Sequence, residues 1–456
     1  MSKSLWEKIL GAPAQILNKT IEIEEEIVED IKEEKPIKRA KEYWKILGPG
    51  LTTGAADDDP SGIATYSQMG ASRGFSLLWI SLFTFPLVSV IQEMCARIGI
   101  VTGTGLASNI KRHYNKNLLY LCTFLLVFAN VFNMGADLGA MAKGTQLLFP
   151  SIPFAFLVIA FALVILFLQI SIPYKQYSKY LKYLTLVLFT YILAVFAMNV
   201  NWSEVFSHLF IPKVNFGKEE ILLICAALGT TISPYLFFWQ TSQEVEEEIM
   251  KGDTTEEMRR SHVTKKDIRD MRIDVWSGMF ISNLVMFFII VACAVALYSN
   301  GITHINTAED AARALRPFAG DAAFFLFAIG IIGTGFLAIP VLAGSASYAV
   351  SESFGFKYGL YRDLKEASAF YGVIIIAMVL GIVLNFVGFD PIDVLIYSAV
   401  FNGLISPIML YFIVKISADE SIMGEYKNSK ISNWIGWITV ILMSLVSIIS
   451  IYFIFK

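Results

Sequence analysis

Charge is scarce in this chain. Only 16% of its 456 residues are Asp, Glu, Lys or Arg while 55% are apolar, whereas ordinary soluble domains are about a quarter charged. That balance excludes a disordered chain and argues against a water-soluble enzyme. Cysteine is equally thin. Cys95, Cys122, Cys225 and Cys293 all lie inside apolar stretches, with neither the paired spacing of a disulfide framework nor that of a structural zinc site. The four histidines, His113, His208, His262 and His304, fall in loops or at segment ends. They offer no His-rich metal cluster and no proton wire through the apolar segments. The near-balanced net charge of −3 gives no reason to expect nucleic acid as a partner. The first 45 residues, with the acidic run Glu22 to Asp30, lack the short apolar core of a cleavable signal and read as a solvated cytosolic tail.

What the chain has in quantity is long apolar runs. A bilayer core roughly 30 Å thick needs about 20 apolar residues per helix, and eleven segments answer to that description: roughly 47–71, 75–98, 118–148, 153–173, 177–198, 219–244, 273–299, 321–352, 367–388, 391–415 and 432–455. The fold expected is therefore an all-α membrane protein with the lipid bilayer as its solvent. Cytoplasmic loops accumulate Lys and Arg. Of the 36 basic residues, 29 fall on one side of the proposed topology and six on the other, which predicts a cytosolic N-terminus and an external C-terminus.

Two spans are broken where a lipid-facing helix should be continuous. In the first, Asp57, Asp58 and Asp59 are followed by Pro60, Ser61 and Gly62. Acids inside a membrane are costly and by default functional, and three successive helical positions fan apart by about 100° each. An unwound segment would lift that restriction and expose backbone carbonyls from Ala56 to Gly62. A competing local reading makes Asp59 the N-cap of a helix that starts at Pro60. In the sixth span, Gly229, Thr230, Thr231, Ser233 and Pro234 interrupt another apolar run. The two broken spans open two groups of five, 47–198 and 219–415, leaving 1–46 as a tail and 432–455 as an additional span. Because five is odd, the second group must run in the opposite direction across the membrane. Interruptions at matching positions of inverted repeats point to a substrate site at the midplane.

Carboxylates, carbonyls and hydroxyls are hard oxygen ligands. Asp57, Asp58, Asp59, Ser233, Thr230 and the backbone about Pro60 and Pro234 would suit Mg2+ or Mn2+ better than copper or zinc. The ion is expected as transported substrate, with no cofactor. A cationic organic solute is the other chemistry open at this point. Glu93, Asp137 and Lys143 are further ionisable residues inside spans; Asp137 and Lys143 are six apart, outside the usual helical pairing distance.

These residues resemble the Nramp (natural resistance-associated macrophage protein) family of divalent-metal transporters from Gly48 to about Tyr411. The resemblance is carried by Leu47 to Gly50, Asp59 to Gly62, Gln92 to Ala107, Gly229 to Tyr235 and the Ser398 to Pro407 spacing. It implies a LeuT-type inverted-repeat fold, alternating access and metal uptake into the cytosol, with Asp59 at the family's metal-binding Asp and Asn283 in span 7. The departures are as informative. Gly62 stands where the family has a ligand Asn, Ser233 where it has a thioether Met, and Tyr235 and Gln240 where it has two His. Asn133 and Ala136 stand in place of span-3 acids linked to proton movement, and Ala399 in place of a Gln; Asn402 is a further polar residue of that span. These changes resemble the Nramp-related magnesium transporter branch. The function expected is Mg2+ uptake, with Mn2+ also passing, across the plasma membrane of a prokaryote without proton symport. The alternatives are a proton-coupled Mn2+/Fe2+ symporter and a sodium-coupled organic-solute symporter on the same fold. An intramembrane enzyme lacks a nucleophile-base pair in the spans, and a metal sensor lacks a loop long enough for a cytosolic domain.

Overall fold

The computed structural model describes residues 36–212, 217–305, 307–388 and 391–454, so the acidic run Glu22 to Asp30 lies outside the described residues. Two units are distinguished, Met1–Leu47 and Gly48–Lys456. In the first, Pro36–Ile46 forms a helix, α1. In the second, every described regular element is a helix, as expected of a chain that must satisfy each backbone N–H and C=O without water.

The first expected span is two half-helices, α2 (Pro49–Asp57) and α3 (Pro60–Arg73). It is followed by α4 (Trp79–Thr102), the short α5 (Leu106–His113), α6 (Lys116–Leu148) and α7 (Phe154–Ser171). The fifth span comprises α8 (Tyr174–Leu184), a 3-10 turn at Thr185–Leu188 and α9 (Phe189–Phe196), with α10 (Trp202–Phe210) beyond it. The second series opens on another pair of half-helices, α11 (Lys218–Thr231) and α12 (Pro234–Lys251). Then come α13 (Glu256–His262), α14 (Lys265–Ala296), α15 (Ala308–Phe354), α16 (Ser368–Leu384), α17 (Pro391–Ala418), α18 (Glu420–Met423) and α19 (Lys430–Ile454). Among the described residues, eight helical stretches are each long and apolar enough to cross a membrane, and Ser368–Leu384 and Ile405–Ala418 are shorter apolar helices.

Three short helices, α5, α10 and α13, replace what reads in the sequence as plain connections. The span expected near 321–352 is the stretch Gly320–Phe354; a separate helix from Ala308 meets it at Gly320, whose non-helical φ of 82° a residue with a Cβ would resist. On α7, Phe156, Ile159, Leu163 and Phe167 form an exposed stripe while Leu157, Val158, Ala162 and Ile165 face inward, so one side of a strongly apolar helix is left for lipid. Glycine sets the closest packing in the interior. A Cβ at Gly54 would lie 2.3 Å from the Gly278 carbonyl, and one at Gly70 would lie 2.4 Å from the Ile290 carbonyl. Both halves of the first broken span therefore press against the backbone of α14, as small residues permit in membrane helices.

Candidate functional site

The two breaks share one backbone grammar. Between α2 and α3, Asp58 closes the first half-helix at φ −87°, ψ 51°, and the extended Asp59 (φ −68°, ψ 165°) opens the second, with Pro60 at its first position. Between α11 and α12, Ile232 (φ −107°, ψ 61°) and Ser233 (φ −91°, ψ 133°) do the same, with Pro234 in the matching place. Proline suits the first helical position because its missing N–H would be unpaired there anyway.

The breaks also meet in space. The Tyr235 hydroxyl donates to the Ala56 carbonyl at 3.1 Å, and the hydroxyls of Tyr66 and Thr231 lie 3.2 Å apart. From α17, the Ser406 hydroxyl reaches the Ile232 carbonyl at 3.1 Å. The acids of the first break and Pro234 of the second thus belong to one interior region.

The three acids do not converge on a single point. Asp59 caps α3 as the local reading has it: its Oδ1 accepts from the Gly62 N–H at 2.6 Å and from the Ser61 hydroxyl at 3.0 Å. Its Oδ2 is met from α6 by the Asn133 amide at 3.3 Å. Asp57 turns toward α14, where the Ser282 hydroxyl donates to its Oδ2 at 2.9 Å. Asp58 has no hydrogen-bond partner on either oxygen among the described residues, and the same holds for Asp137. All four carboxylates are buried. None of them takes part in an ion pair among the described residues, nor do three His, Cys, Asp or Glu side chains there close into a metal-holding group. What is assembled is a counterion-free, oxygen-rich interior rather than a finished coordination shell. Buried charge of one sign calls for a cation or for protons.

The hydroxyls of the second break are turned inward. Ser233 lies 2.7 Å from the Thr230 carbonyl and 2.9 Å from that of Gly229, Thr230 donates to Ala227 at 3.0 Å, and Thr231 to Ala227 at 2.9 Å. The hydroxyl protons are thus directed at the half-helix itself. Gly62 has a structural reason to lack a side chain, since a Cβ there would come within 3.3 Å of both the Asp57 carbonyl and Asp59 Oδ1.

Other candidates lie apart from the breaks. Gln240 donates to Glu244 of its own helix at 2.8 Å. Asn283 accepts from Thr84 of α4 at 2.8 Å and donates to Met279 at 2.9 Å, while its neighbour Ser282 is the residue that touches Asp57. Asn402 is buried, its carbonyl accepting from Ser406 at 2.7 Å. The Ala399 side chain lies outside the described residues.

Sequence reading missed Ser282, Tyr66, Ser406 and, most consequentially, Asp274. That α14 carboxylate accepts from three backbone amides at the start of α2: Gly48 at 2.7 Å, Gly50 at 2.6 Å and Leu51 at 2.9 Å. Initial N–H groups of a helix lack intrahelical acceptors, and Asp274 supplies them from another helix. Its only sequence signal is an acid at the mouth of an apolar run.

A family model described as natural resistance-associated macrophage protein-like matches residues 50–453. The chain belongs to the Nramp family. Among curated Nramp relatives, the divalent metal cation transporter MntH of Caldanaerobacter subterraneus subsp. tengcongensis is 24% identical over 403 residues, covering 87% of this chain and 90% of that protein. Its namesake from Klebsiella pneumoniae is 26% identical over 399 residues, covering 86% and 90%. The crystal structure of the Eremococcus coleocola manganese transporter in complex with an aromatic bis-isothiourea substituted compound superposes with a TM-score of 0.72 at 20% identity, covering 92% of this chain and 88% of that one. MhsT in complex with L-phenylalanine superposes at 0.56 with 13% identity, covering 88% and 98%. The Nramp chain thus has the LeuT-type fold of an integral membrane transporter, as its resemblance to the family led one to expect.

Proposed function

We propose that this Nramp chain transports a divalent metal cation by alternating access, taking Mg2+, and Mn2+ beside it, into the cytosol without moving protons. One observation carries the reading: two helix breaks of the same grammar enclose buried carboxylates that have no basic partner among the described residues, with no sulfur at position 233. Oxygen-only ligation favours a hard cation, and Mg2+ keeps several waters wherever it binds. The ion lies between the first break, with Asp57, Asp58, Asp59 and the backbone from Ala56 to Gly62, and the second, with Thr230, Ser233 and the carbonyls before Pro234. Segments 47–198 and 219–415 are the two inverted repeats, with the N-terminus in the cytosol of a prokaryotic cell.

A second reading is a proton-coupled Mn2+ symporter. That relatives are named as divalent metal cation and manganese transporters favours Mn2+ as the ion.

The test is uptake into proteoliposomes with a pH dye inside. Mg2+ and Mn2+ should both enter, internal pH should stay level, and Asp59→Ala should lower uptake at least tenfold. Acidification in step with metal entry hands the mechanism to the symporter reading. Undiminished uptake by Asp59→Ala sinks the site assignment.

A further inference from the structure

One buried stripe of α6 runs to the first break but has so far been given no part in holding the ion. Thr123, Asn130, Asn133 and Asp137 follow one another at helical spacing and are all buried. The first three find protein partners: Thr123 the hydroxyl of Ser353 at 3.0 Å, Asn130 the Leu342 carbonyl at 2.9 Å, Asn133 the Asp59 carboxylate at 3.3 Å. Asp137 finds none. It is fully buried and neither of its oxygens makes a hydrogen bond within 3.5 Å among the described residues, the backbone N–H of Ser61 being the donor that lies toward it. The lysine nearest it toward the end of the helix, Lys143, is directed elsewhere, over the Phe154 ring at 5.1 Å from its centroid. Asp137 follows Asn133 by one helical turn, on the side of α6 that meets Asp59, and the two carboxylates interact electrostatically.

A polar stripe in which every uncharged member makes a hydrogen bond and the one charged member makes none is difficult to explain as packing. Burying an unpaired carboxylate costs several kcal/mol, and replacing it by an apolar residue would remove that cost. Neither Asp137 nor Asp59 takes part in an ion pair among the described residues, and Asp59 Oδ1 is already committed to Gly62 and Ser61. We infer that Asp137 is a carboxylate ligand of the transported divalent cation, which sits between Asp59 and Asp137 with Asn133 alongside, so that α6 contributes to the site together with the two breaks. This rests on the function proposed above and adds a ligand to it. Two carboxylates with water completing the shell suit a hard, partly hydrated ion.

The experiment is isothermal titration of the purified full-length chain with Mg2+ and Mn2+, run on the parent, Asp59→Ala and Asp137→Asn. Elution volume and melting temperature report folding. Asp137→Asn is expected to weaken binding at least tenfold while eluting as the parent does. If the parent binds and Asp59→Ala does not, yet Asp137→Asn binds as the parent, Asp137 is no ligand and the transport reading survives without it. A parent that binds neither ion overturns that reading and this inference together. Asp137→Cys supplies a separate readout, decisive also where Asp137→Asn fails to fold. A thiolate at the ion should let Cd2+ compete with Mg2+ at least tenfold better than in the parent, whose four native cysteines serve as background. Equal competition overturns the assignment.

Discussion

The two helix breaks are built on the same backbone plan and held in opposite ways. The first is braced from outside. Asp274 of α14 gathers the amides at the start of α2, Ser282 of the same helix holds Asp57, Asn133 of α6 meets Asp59, and Gly54 lies against the backbone of Gly278. The second is largely self-contained: its hydroxyls return to carbonyls of α11, and a Cβ at Gly229 would meet nothing within 4 Å. Charge explains the difference. Carboxylates without counterions repel one another and attract water, so a segment carrying three of them holds its shape only if neighbouring helices fix it. An uncharged break made of Thr, Ser and Pro satisfies its own backbone and leaves its surroundings open.

The largest expected effect comes from filling the glycines on each side. Gly278→Leu drives a side chain into the Gly50 carbonyl, which a Cβ would already approach to 2.1 Å. Since both partners are backbone, α2 has to separate from α14, and overpacking of this kind costs about 3 kcal/mol or more. Gly229→Ala enters open space inside a helix and should be stabilising by roughly 0.5–1 kcal/mol. Melting temperatures in detergent, read with the fraction of monodisperse protein, check the pair. If both substitutions shift melting alike, the contrast between a braced and a free break is wrong.

What could be read from the chain alone follows the same division. Both breaks are visible because Pro, Gly and acids inside an apolar run violate the rule that lipid imposes on helices, and a violation is a local pattern. The capping role of Asp59 is legible for that reason too, since Asp before Pro speaks through its immediate neighbours. The braces are invisible in the sequence. Asp274 sits 224 residues from Gly50, Ser282 225 from Asp57, and Asn133 74 from Asp59, and nothing in local periodicity couples them. Hydroxyl direction is hidden as well. Ser233 reads as a ligand by type, whereas its proton is directed at the end of its own helix.

Removing the cap that α14 supplies should come next in size. Asp274→Ala leaves the Gly48, Gly50 and Leu51 amides without their acceptor. Hydrogen bonds to a charged group are worth about 1.5–3 kcal/mol, and losing a helix cap costs up to about 2 kcal/mol, so a loss near 2 kcal/mol is expected. Hydrogen exchange of the segment containing Gly50 and Leu51 should accelerate about 30-fold, since each 1.4 kcal/mol is a factor of ten. Exchange in α12 should stay as it was. Acceleration spread equally over both breaks would mean that Asp274 supports the whole bundle rather than the first half-helix.

The smallest effect belongs to the hydroxyl that reaches the second break from α17. Ser406 has a single proton and two acceptors, its own Asn402 carbonyl at 2.7 Å and the Ile232 carbonyl at 3.1 Å. The nearer acceptor takes the larger share, so the link to the break is weaker than a full hydrogen bond, which itself contributes about 0.5–1.5 kcal/mol. Ser406→Ala should therefore lower stability by roughly 0.5 kcal/mol and leave Mg2+ affinity within about threefold of the parent, a change of less than about 0.7 kcal/mol. Thermal melting and titration of the same preparation measure both. A loss as large as that from Asp274→Ala would show the second break to be braced from outside like the first, and the freedom ascribed to it here would have to be withdrawn.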